Sequence, residues 1–197
     1  MLKRLILASL FGGLAMFLWS FISHEILNLG EGGVQEVPNE SQVLAALQSS
    51  IGPNTGIYLY PGMGLGPNPT MQQRNAAMPE YARRFLTEPS GMLIYHPPGR
   101  RMEMLPMLTT ELATEMVEAL LAVVLLMQTR LNRFISRVAF VTILGALATI
   151  TTNISYWNWY GFPAGYTVAF MSSQILGFLC GGMIIALVLG RTSMKQS

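Results

Sequence analysis

Four long apolar segments constrain the fold of this chain more strongly than any other feature of its sequence. They are Leu5–Ile22, Leu108–Met127, Val138–Ile154 and Tyr166–Gly190. A helix that crosses about 30 Å of hydrocarbon needs roughly 20 apolar residues, and each segment comes close to that length. Only 11% of the 197 residues are charged, compared with about 25% in ordinary soluble domains. The sequence therefore predicts an all-α membrane protein with four transmembrane helices.

The first apolar segment also resembles a cleavable signal peptide, because Lys3 and Arg4 precede it. Two features favour a retained anchor instead. The segment is long, and the stretch FISHEILNLG at its end offers no cleavage site with small residues at the required spacing. We therefore expect residues 1–25 to form a first transmembrane anchor.

The distribution of Lys and Arg near the span ends predicts the orientation. One side holds seven of them: Lys3, Arg4, Arg130, Arg133, Arg137, Arg191 and Lys195. The other side has only Arg100 and Arg101 near span ends. Since cytoplasmic flanks are enriched in Lys and Arg, we expect a multi-pass protein of the cytoplasmic (inner) membrane with both termini in the cytoplasm. Residues 26–106 are then extracytoplasmic, and residues 107–197 form a three-helix transmembrane region.

The stretch SYWNWYGFPAGY, residues 155–166, is rich in aromatic residues and has no charge. We interpret it as the short connection between spans three and four, with Gly161, Pro163 and Gly165 reversing the chain. Its rings are typical of an interfacial aromatic belt. The belt residues are Tyr156, Trp157, Trp159, Tyr160, Phe162 and Tyr166. The alternative is an aromatic ligand pocket, such as a quinone or lipid headgroup site.

The segment between the first two spans is rich in Gly and Pro and predicts a small α+β region. Asn39 and Gly52 bound an amphipathic helical pattern. The runs GIYLYPG and GMLIYHPPG have the composition of short strands, which form a two-strand hairpin if they pair. A second helix is expected over Pro79–Leu86. The glycine string at 62–66 indicates a loop and not a phosphate site, because prolines follow it, and His96 has the setting of a solvated or turn residue.

Three glutamates interrupt the second span. Glu111, Glu115 and Glu118 are separated by four and three residues, which places them on one stripe of a helix. At about 1.5 Å per residue, Glu118 lies near the bilayer midplane, where a carboxylate costs a few kcal/mol unless it is protonated, paired or hydrated. We therefore expect the stripe to face the helix bundle.

Polar residues of the other spans are expected at a similar depth towards the outer leaflet. Together with the glutamates they form a candidate intramembrane polar site, which comprises Glu111, Glu115, Glu118, His24, Glu25, Asn153 and Gln174. Three interpretations remain open. In the first, Glu111 begins the helix in water, where the helix dipole favours it, and Glu115 and Glu118 are neutralised by hydrogen bonds to neighbouring spans. In the second, the stripe pairs with basic residues of a partner subunit. In the third, the carboxylates with His24 or His96 bind a divalent metal or relay protons. No metal-ligand spacing is present, so we assign no metal site.

Small residues recur every four positions in the last span, at Ser173, Gly177 and Gly181. This spacing lets helices approach closely and is typical of internal helix packing or of homodimerisation.

Composition excludes several function classes. The net charge is only +2, without a basic cluster, which argues against binding to nucleic acid. The single cysteine, Cys180, excludes an internal disulfide and cysteine-based metal sites. The sequence identifies no cofactor.

The YWNWYGFP turn before the last span, with IYLYP and LIYHPPG before the second, resembles a loosely defined group of small bacterial inner-membrane proteins with four spans. The resemblance implies a bacterial origin and a cytoplasmic-membrane location, and it brings no activity, cofactor or catalytic residue. The sequence therefore favours a non-enzymatic accessory or scaffold protein, such as a small subunit of a larger membrane complex. Its partners are the lipid bilayer and a protein partner or a second copy. The alternative is a membrane-embedded carboxylate site for divalent metal binding or proton movement.

Overall fold

The computed structural model describes residues 2–29 and 32–190 and is mostly helical. Its elements in chain order are α1 Leu2–Phe21, a π-helical turn Ile22–Ile26, α2 Glu40–Ile51, β1 Gly56–Tyr60, α3 Met71–Thr87, β2 Gly91–Tyr95, α4 Met104–Met127, α5 Phe134–Tyr160 and α6 Ala164–Leu189. They fall into two compact units. The helical unit lies within residues 1–34 and 103–197, and the inserted unit is Gln35–Met102.

Three helices of the helical unit are long and apolar enough to cross a membrane. They are α1 with its π-helical continuation, α5 and α6. This is consistent with a membrane protein, and the three helices match the first, third and fourth predicted spans. The second predicted span, α4, has 24 residues but carries Glu111, Glu115 and Glu118 in its middle. Length and composition alone therefore do not qualify α4 as a fourth span.

Helices α1 and α6 are the two inner helices of the helical unit. Helix α1 packs against both α4 and α6, and α6 packs against α5, whereas α4 and α5 share few contacts. All four helices contribute to one buried cluster, formed by Ala8, Met16, Ala119, Ala122, Val123, Leu126, Val141 and Ile185. Large apolar side chains such as Leu18, Ile143 and Leu187 remain exposed on the outer faces. A helix that is apolar on its outer face as well as its inner face is typical of lipid surroundings.

The small-residue stripe of α6 faces α1. Ser173, Gly177 and Gly181 are buried. A Cβ added at Gly181 would stand 2.6 Å from the Met16 side chain, and one at Gly177 would stand 3.3 Å from the indole of Trp19. The spacing of small residues thus serves a close helix contact inside the chain.

The aromatic stretch before α6 differs from its predicted role as a connecting loop. Helix α5 continues to Tyr160, so only residues 161–163 connect it to α6, and Gly165 lies inside α6. Gly161 adopts the left-handed conformation (φ 70°) that ends the helix. The rings of Tyr156 and Phe162 stack with their centroids 5.3 Å apart. The sequence-based loop was too long because the glycine stops the helix by itself and aromatic residues do not.

In the inserted unit the predicted strands do form a sheet. Strands β1 and β2 pair antiparallel, with Gly56 opposite Tyr95 and Tyr60 opposite Gly91. The helix predicted between Asn39 and Gly52 is α2, with these two residues at its caps. The Asn39 side chain makes no capping hydrogen bond, because its backbone is itself left-handed at φ 54°.

Helix α3 is longer than the predicted helix over residues 79–86. It begins at Met71, where Thr70 and Gln73 form a reciprocal capping box. Pro79 therefore lies inside the helix and not at its start. The prediction placed the start too late because proline is most common in the first turn, while the capping box gave the stronger signal.

An ion pair on α3 gives a pH-dependent prediction. Arg84 donates hydrogen bonds to the Glu88 carboxylate and, at 2.7 Å, to the carbonyl of Gly62, which ties α3 to the loop after β1. The hydrogen bonds from Arg84 hold the pKa of Glu88 below its ordinary value. Because the folded pKa is lowered, the pair stabilises the inserted unit at neutral pH, and this contribution is lost as the pH falls through the folded pKa.

Arg84→Gln is expected to return the pKa of Glu88 towards its ordinary value. The measurement is a carboxyl NMR titration of the full chain in detergent. Arg74→Gln is the matched control, since Arg74 lies on the same helix and forms no ion pair among the described residues. Equal Glu88 titration curves in the two variants would contradict the assigned pairing.

Candidate functional site

A polar cavity of about 230 Å³ lies between α1, α4 and α6. Helix α1 forms its floor because it packs against both neighbours, while α4 and α6 make at most slight contact with each other. The polar side chains that line the cavity are Ser20, His24, Glu111, Glu115, Glu118, Ser173 and Gln174. We call this cavity the glutamate groove.

The groove brings together most of the candidate polar residues predicted from the sequence. Glu111, Glu115, Glu118, His24 and Gln174 all line it. The spacing of four and three residues on α4 turns each glutamate towards the same side of the helix, as the periodicity predicts. Glu111 is exposed, whereas Glu115 and Glu118 are half-buried.

Two of the predicted residues do not reach the groove. Glu25 is exposed on the π-helical turn. Asn153 is buried on α5, where its amide donates hydrogen bonds to the Thr149 carbonyl at 2.9 Å and the Thr149 hydroxyl at 3.0 Å. Counting residues along a span predicts depth in the membrane but not the direction of a side chain. Helix α5 packs on α6 and does not form a wall of this cavity, which the depth estimate was unable to show.

The floor of the groove is held in place by Trp19 and Ser23, two residues that were not predicted from the sequence. The indole nitrogen of Trp19 donates a hydrogen bond to the Ser173 carbonyl at 2.8 Å. The hydroxyls of Ser23 and Ser173 are also hydrogen-bonded to each other, and Ser23 is fully buried. A signal was present in the sequence, since Trp19 near the end of α1 and Ser23 in the π-helical turn are spaced by four residues. These bonds fix α6 against α1 and so set the width of the groove.

His24 is oriented by its own helix. Its Nδ1 lies 2.9 Å from the backbone carbonyl of Ser20. Because a carbonyl only accepts hydrogen bonds, Nδ1 carries the proton and donates it. Nε2 is then the ring nitrogen that remains for other chemistry at the mouth of the groove. The Ser20 hydroxyl points to Glu111 from 3.5 Å, which is a weak contact.

The groove carboxylates have no cationic partner within the described part of the chain. The ion pairs in the described part of the chain are Arg83–Glu80 and Arg84–Glu88. Both lie on α3 or at its end, outside the groove. Glu115 is the most isolated of the three, since its Oε2 is buried and has no hydrogen-bond partner among the described residues. A buried carboxylate oxygen without a partner is unfavourable, so the site is suited to a proton or a cation supplied from outside the chain.

The arrangement of the groove glutamates favours an extended cation or protons over a metal ion. In residues 2–29 and 32–190, no group of three His, Cys, Asp or Glu side chains is placed to hold a metal ion. The three glutamates instead occupy successive positions along one wall, separated by about 6 Å and about 4.5 Å of helical rise. Such a row suits an extended cationic group or a series of proton positions.

Comparisons with known proteins give no match for this chain. No family model matches its sequence. No curated protein and no solved structure matches it either. The resemblance to a group of bacterial inner-membrane proteins stays a prediction.

Proposed function

We propose that the chain is a four-span protein of the cytoplasmic membrane that acts as an accessory or scaffold subunit. In this proposal its glutamate groove holds a basic side chain of a partner membrane protein. The apolar lengths of α1, α5 and α6 support membrane insertion. The excess of Lys and Arg on one side supports cytoplasmic termini and an extracytoplasmic position for residues 26–106. Two of those residues, Arg191 and Lys195, lie outside the described part of the chain.

Helix α4 is the fourth span in this proposal. Its 24 residues extend about 36 Å, which is enough to cross the hydrocarbon layer. The glutamates are compatible with insertion, because their stripe lines the groove, where a basic side chain of the partner would pair with them. Ala119 and Val123, on the side of α4 that meets the bundle, are fully buried.

The observation that carries the proposal is the unpartnered carboxylate of Glu115. Its Oε2 is buried and makes no hydrogen bond within the described residues. Acidic residues at membrane depth are normally paired with a base, protonated or hydrated. An Arg or Lys from a partner helix would enter between α4 and α6, which make at most slight contact, and reach the carboxylates. The pairing supplies both the missing hydrogen bond and the opposite charge.

A second candidate function is proton movement through the same groove. It is favoured by the row from exposed Glu111 to half-buried Glu118, with the His24 ring also lining the cavity. Carboxylates and an imidazole are the groups that exchange protons most readily near neutral pH. Divalent metal binding is less well supported, since the described residues include no suitable ligand group.

Co-purification from native membranes in mild detergent tests the proposed function. We expect the wild-type chain to retain a stoichiometric membrane partner, and the variant with Glu111→Gln, Glu115→Gln and Glu118→Gln to lose it at least tenfold, because the charge attraction is removed. Glu25→Gln is the matched control, since Glu25 lies outside the groove. In the identified partner, exchanging its intramembrane base for glutamate is expected to restore binding to a Glu115→Lys chain.

The same variants separate the two functions. Retention of the partner by the triple glutamine variant, or isolation of the wild-type chain only as a monomer, would contradict the accessory role. If purified wild-type chain in vesicles then conducts protons and Glu118→Gln does not, proton movement is the better description of the groove.

A further inference from the structure

One face of the two-stranded sheet consists of aliphatic side chains. Alternate residues of a strand point to the same face, and the register places Ile57 opposite Ile94 and Leu59 opposite Met92. These four residues form the aliphatic sheet face. Ile57, Leu59 and Ile94 are 67%, 54% and 62% exposed, and Met92 is half-buried. Exposed aliphatic side chains gathered on one face indicate an interaction surface.

The opposite face of the sheet is used within the inserted unit. Tyr95 is buried there, and its hydroxyl donates a hydrogen bond to the carbonyl of Gly52 at the end of α2. The rings of Tyr58 and Tyr95 make an edge contact with centroids 6.4 Å apart. The inserted unit therefore closes over one side of the sheet, and the aliphatic side is the one left exposed.

We propose that the aliphatic sheet face rests on the lipid surface of the extracytoplasmic leaflet. The chain length between β2 and α4 supports this. Residues 96–103 are the only link between Tyr95 and the start of α4, and eight residues span at most about 29 Å. The proposal rests on the proposed function, because α4 enters the membrane only under that function. The link then keeps the end of β2 within about 29 Å of the start of α4.

The charges in this link are complementary to lipid headgroups. Arg100 and Arg101 are exposed and form no ion pair within the described part of the chain. Guanidinium groups bind phosphate in a bidentate manner, and basic residues beside a membrane span are attracted to anionic lipids. Aliphatic side chains, with two arginines six and seven residues after Ile94 in the sequence, match the two layers of a leaflet surface.

The area of the face argues against a second copy of the chain as its occupant. Four aliphatic side chains offer roughly 400 Å², at about 100 Å² each. A stable protein interface needs about 800 Å² from each partner. A lipid surface has no such minimum, since the helices of the same chain already hold the protein in the bilayer.

Spin labelling of the full chain tests the proposal. Nitroxides are attached at Ile57→Cys and, separately, Ile94→Cys in a Cys180→Ser background, and the chain is reconstituted in vesicles of phosphatidylethanolamine and phosphatidylglycerol. We expect both labels to be several-fold more accessible to oxygen than to a water-soluble nickel chelate. Leu147→Cys on the exposed side of α5 is the lipid control, and Gln48→Cys on α2 is the water control.

The outcomes of this experiment separate failure of the proposed lipid contact from failure of membrane insertion. Labels at Ile57 and Ile94 that are as accessible to the nickel chelate as the Gln48 label would overturn the proposal. Spectral line broadening that disappears on dilution with unlabelled chain would also overturn it, because a second copy of the chain would then cover the face. A Leu147 label open to the nickel chelate would instead overturn the membrane insertion itself. The two test positions lie on different strands, so a folding defect in one variant leaves the other informative.

Discussion

Replacing Gly13 with valine is expected to separate α1 from α4 and to remove most of the folded protein. A Cβ at this position would stand 2.8 Å from the Met116 Cα and 3.0 Å from the Glu115 carbonyl oxygen. Both are backbone atoms, so no side-chain rotation relieves the clash. Overpacking of a core commonly costs about 1–3 kcal/mol, and a clash with a neighbouring backbone belongs at the upper end or beyond.

Unfolding of the purified chain in detergent, followed by tryptophan fluorescence, measures the effect. Gly165→Val is the matched control, because Gly165 lies in helix α6 and a Cβ there meets nothing within 4 Å. Both variants replace a helical glycine with valine, and the control does so in the first turn of α6 without a backbone clash. We expect the control to stay within about 1 kcal/mol of wild type. Equal stability of the two valine variants would show that α1 and α4 do not approach as closely as described.

The Gly13 contact also concerns the groove. It places the backbone of α1 directly against the carbonyl of Glu115. The side chain of Glu115 therefore leaves α4 beside the floor of the groove. Trp19 and Ser20 of α1 form this part of the floor. A variant that loosens this contact is therefore expected to lose partner binding along with stability, whereas Glu115→Gln loses binding alone.

The sequence predicted the elements that depend on local signals. The apolar runs gave the positions of α1, α5 and α6, because a continuous run of this length needs a nonpolar solvent. The two strands were predicted because glycine and proline residues flank short runs with high β-propensity. These strands are Gly56–Tyr60 and Gly91–Tyr95. The glutamate stripe of α4 was found because residues three and four apart share a helix face.

What the sequence did not predict depends on how helices are arranged around one another. Asn153 was expected at the depth of the polar site, but α5 does not line the cavity and the Asn153 amide donates to Thr149 of the same helix. The position of α1 between α4 and α6 was also not predicted. Its buried residues Ala8, Ser9, Gly12 and Gly13 form two small-residue pairs spaced by four. That is the same signal that marked α6, yet no sequence pattern states which helices such pairs bring together.

Arg137 shows how far a side chain's role depends on its contacts. From its position in the sequence, Arg137 is expected to be one of the cytoplasmic charges that orient the protein. The structure places it in the bundle at 6% exposure, where its Nε donates to the Leu131 carbonyl at 2.9 Å and its guanidinium also donates to the Gly190 carbonyl. It thereby joins the start of α5 to the α4–α5 connection and to the end of α6. A cation is also favoured at a helix C-terminus, such as that of α6.

Arg137→Met is therefore expected to destabilise the helical unit by about 3 kcal/mol or more, since each hydrogen bond from a charged group contributes about 1.5–3 kcal/mol. Methionine retains much of the apolar stem, so the loss reports mainly on the hydrogen bonds. Denaturant unfolding in detergent measures it, with Arg133→Met as the matched control, because Arg133 lies one turn earlier and is exposed. If Arg137 served only as a topological charge, the two methionine variants would unfold alike. A loss confined to Arg137→Met would show that this arginine holds the ends of α5 and α6 together.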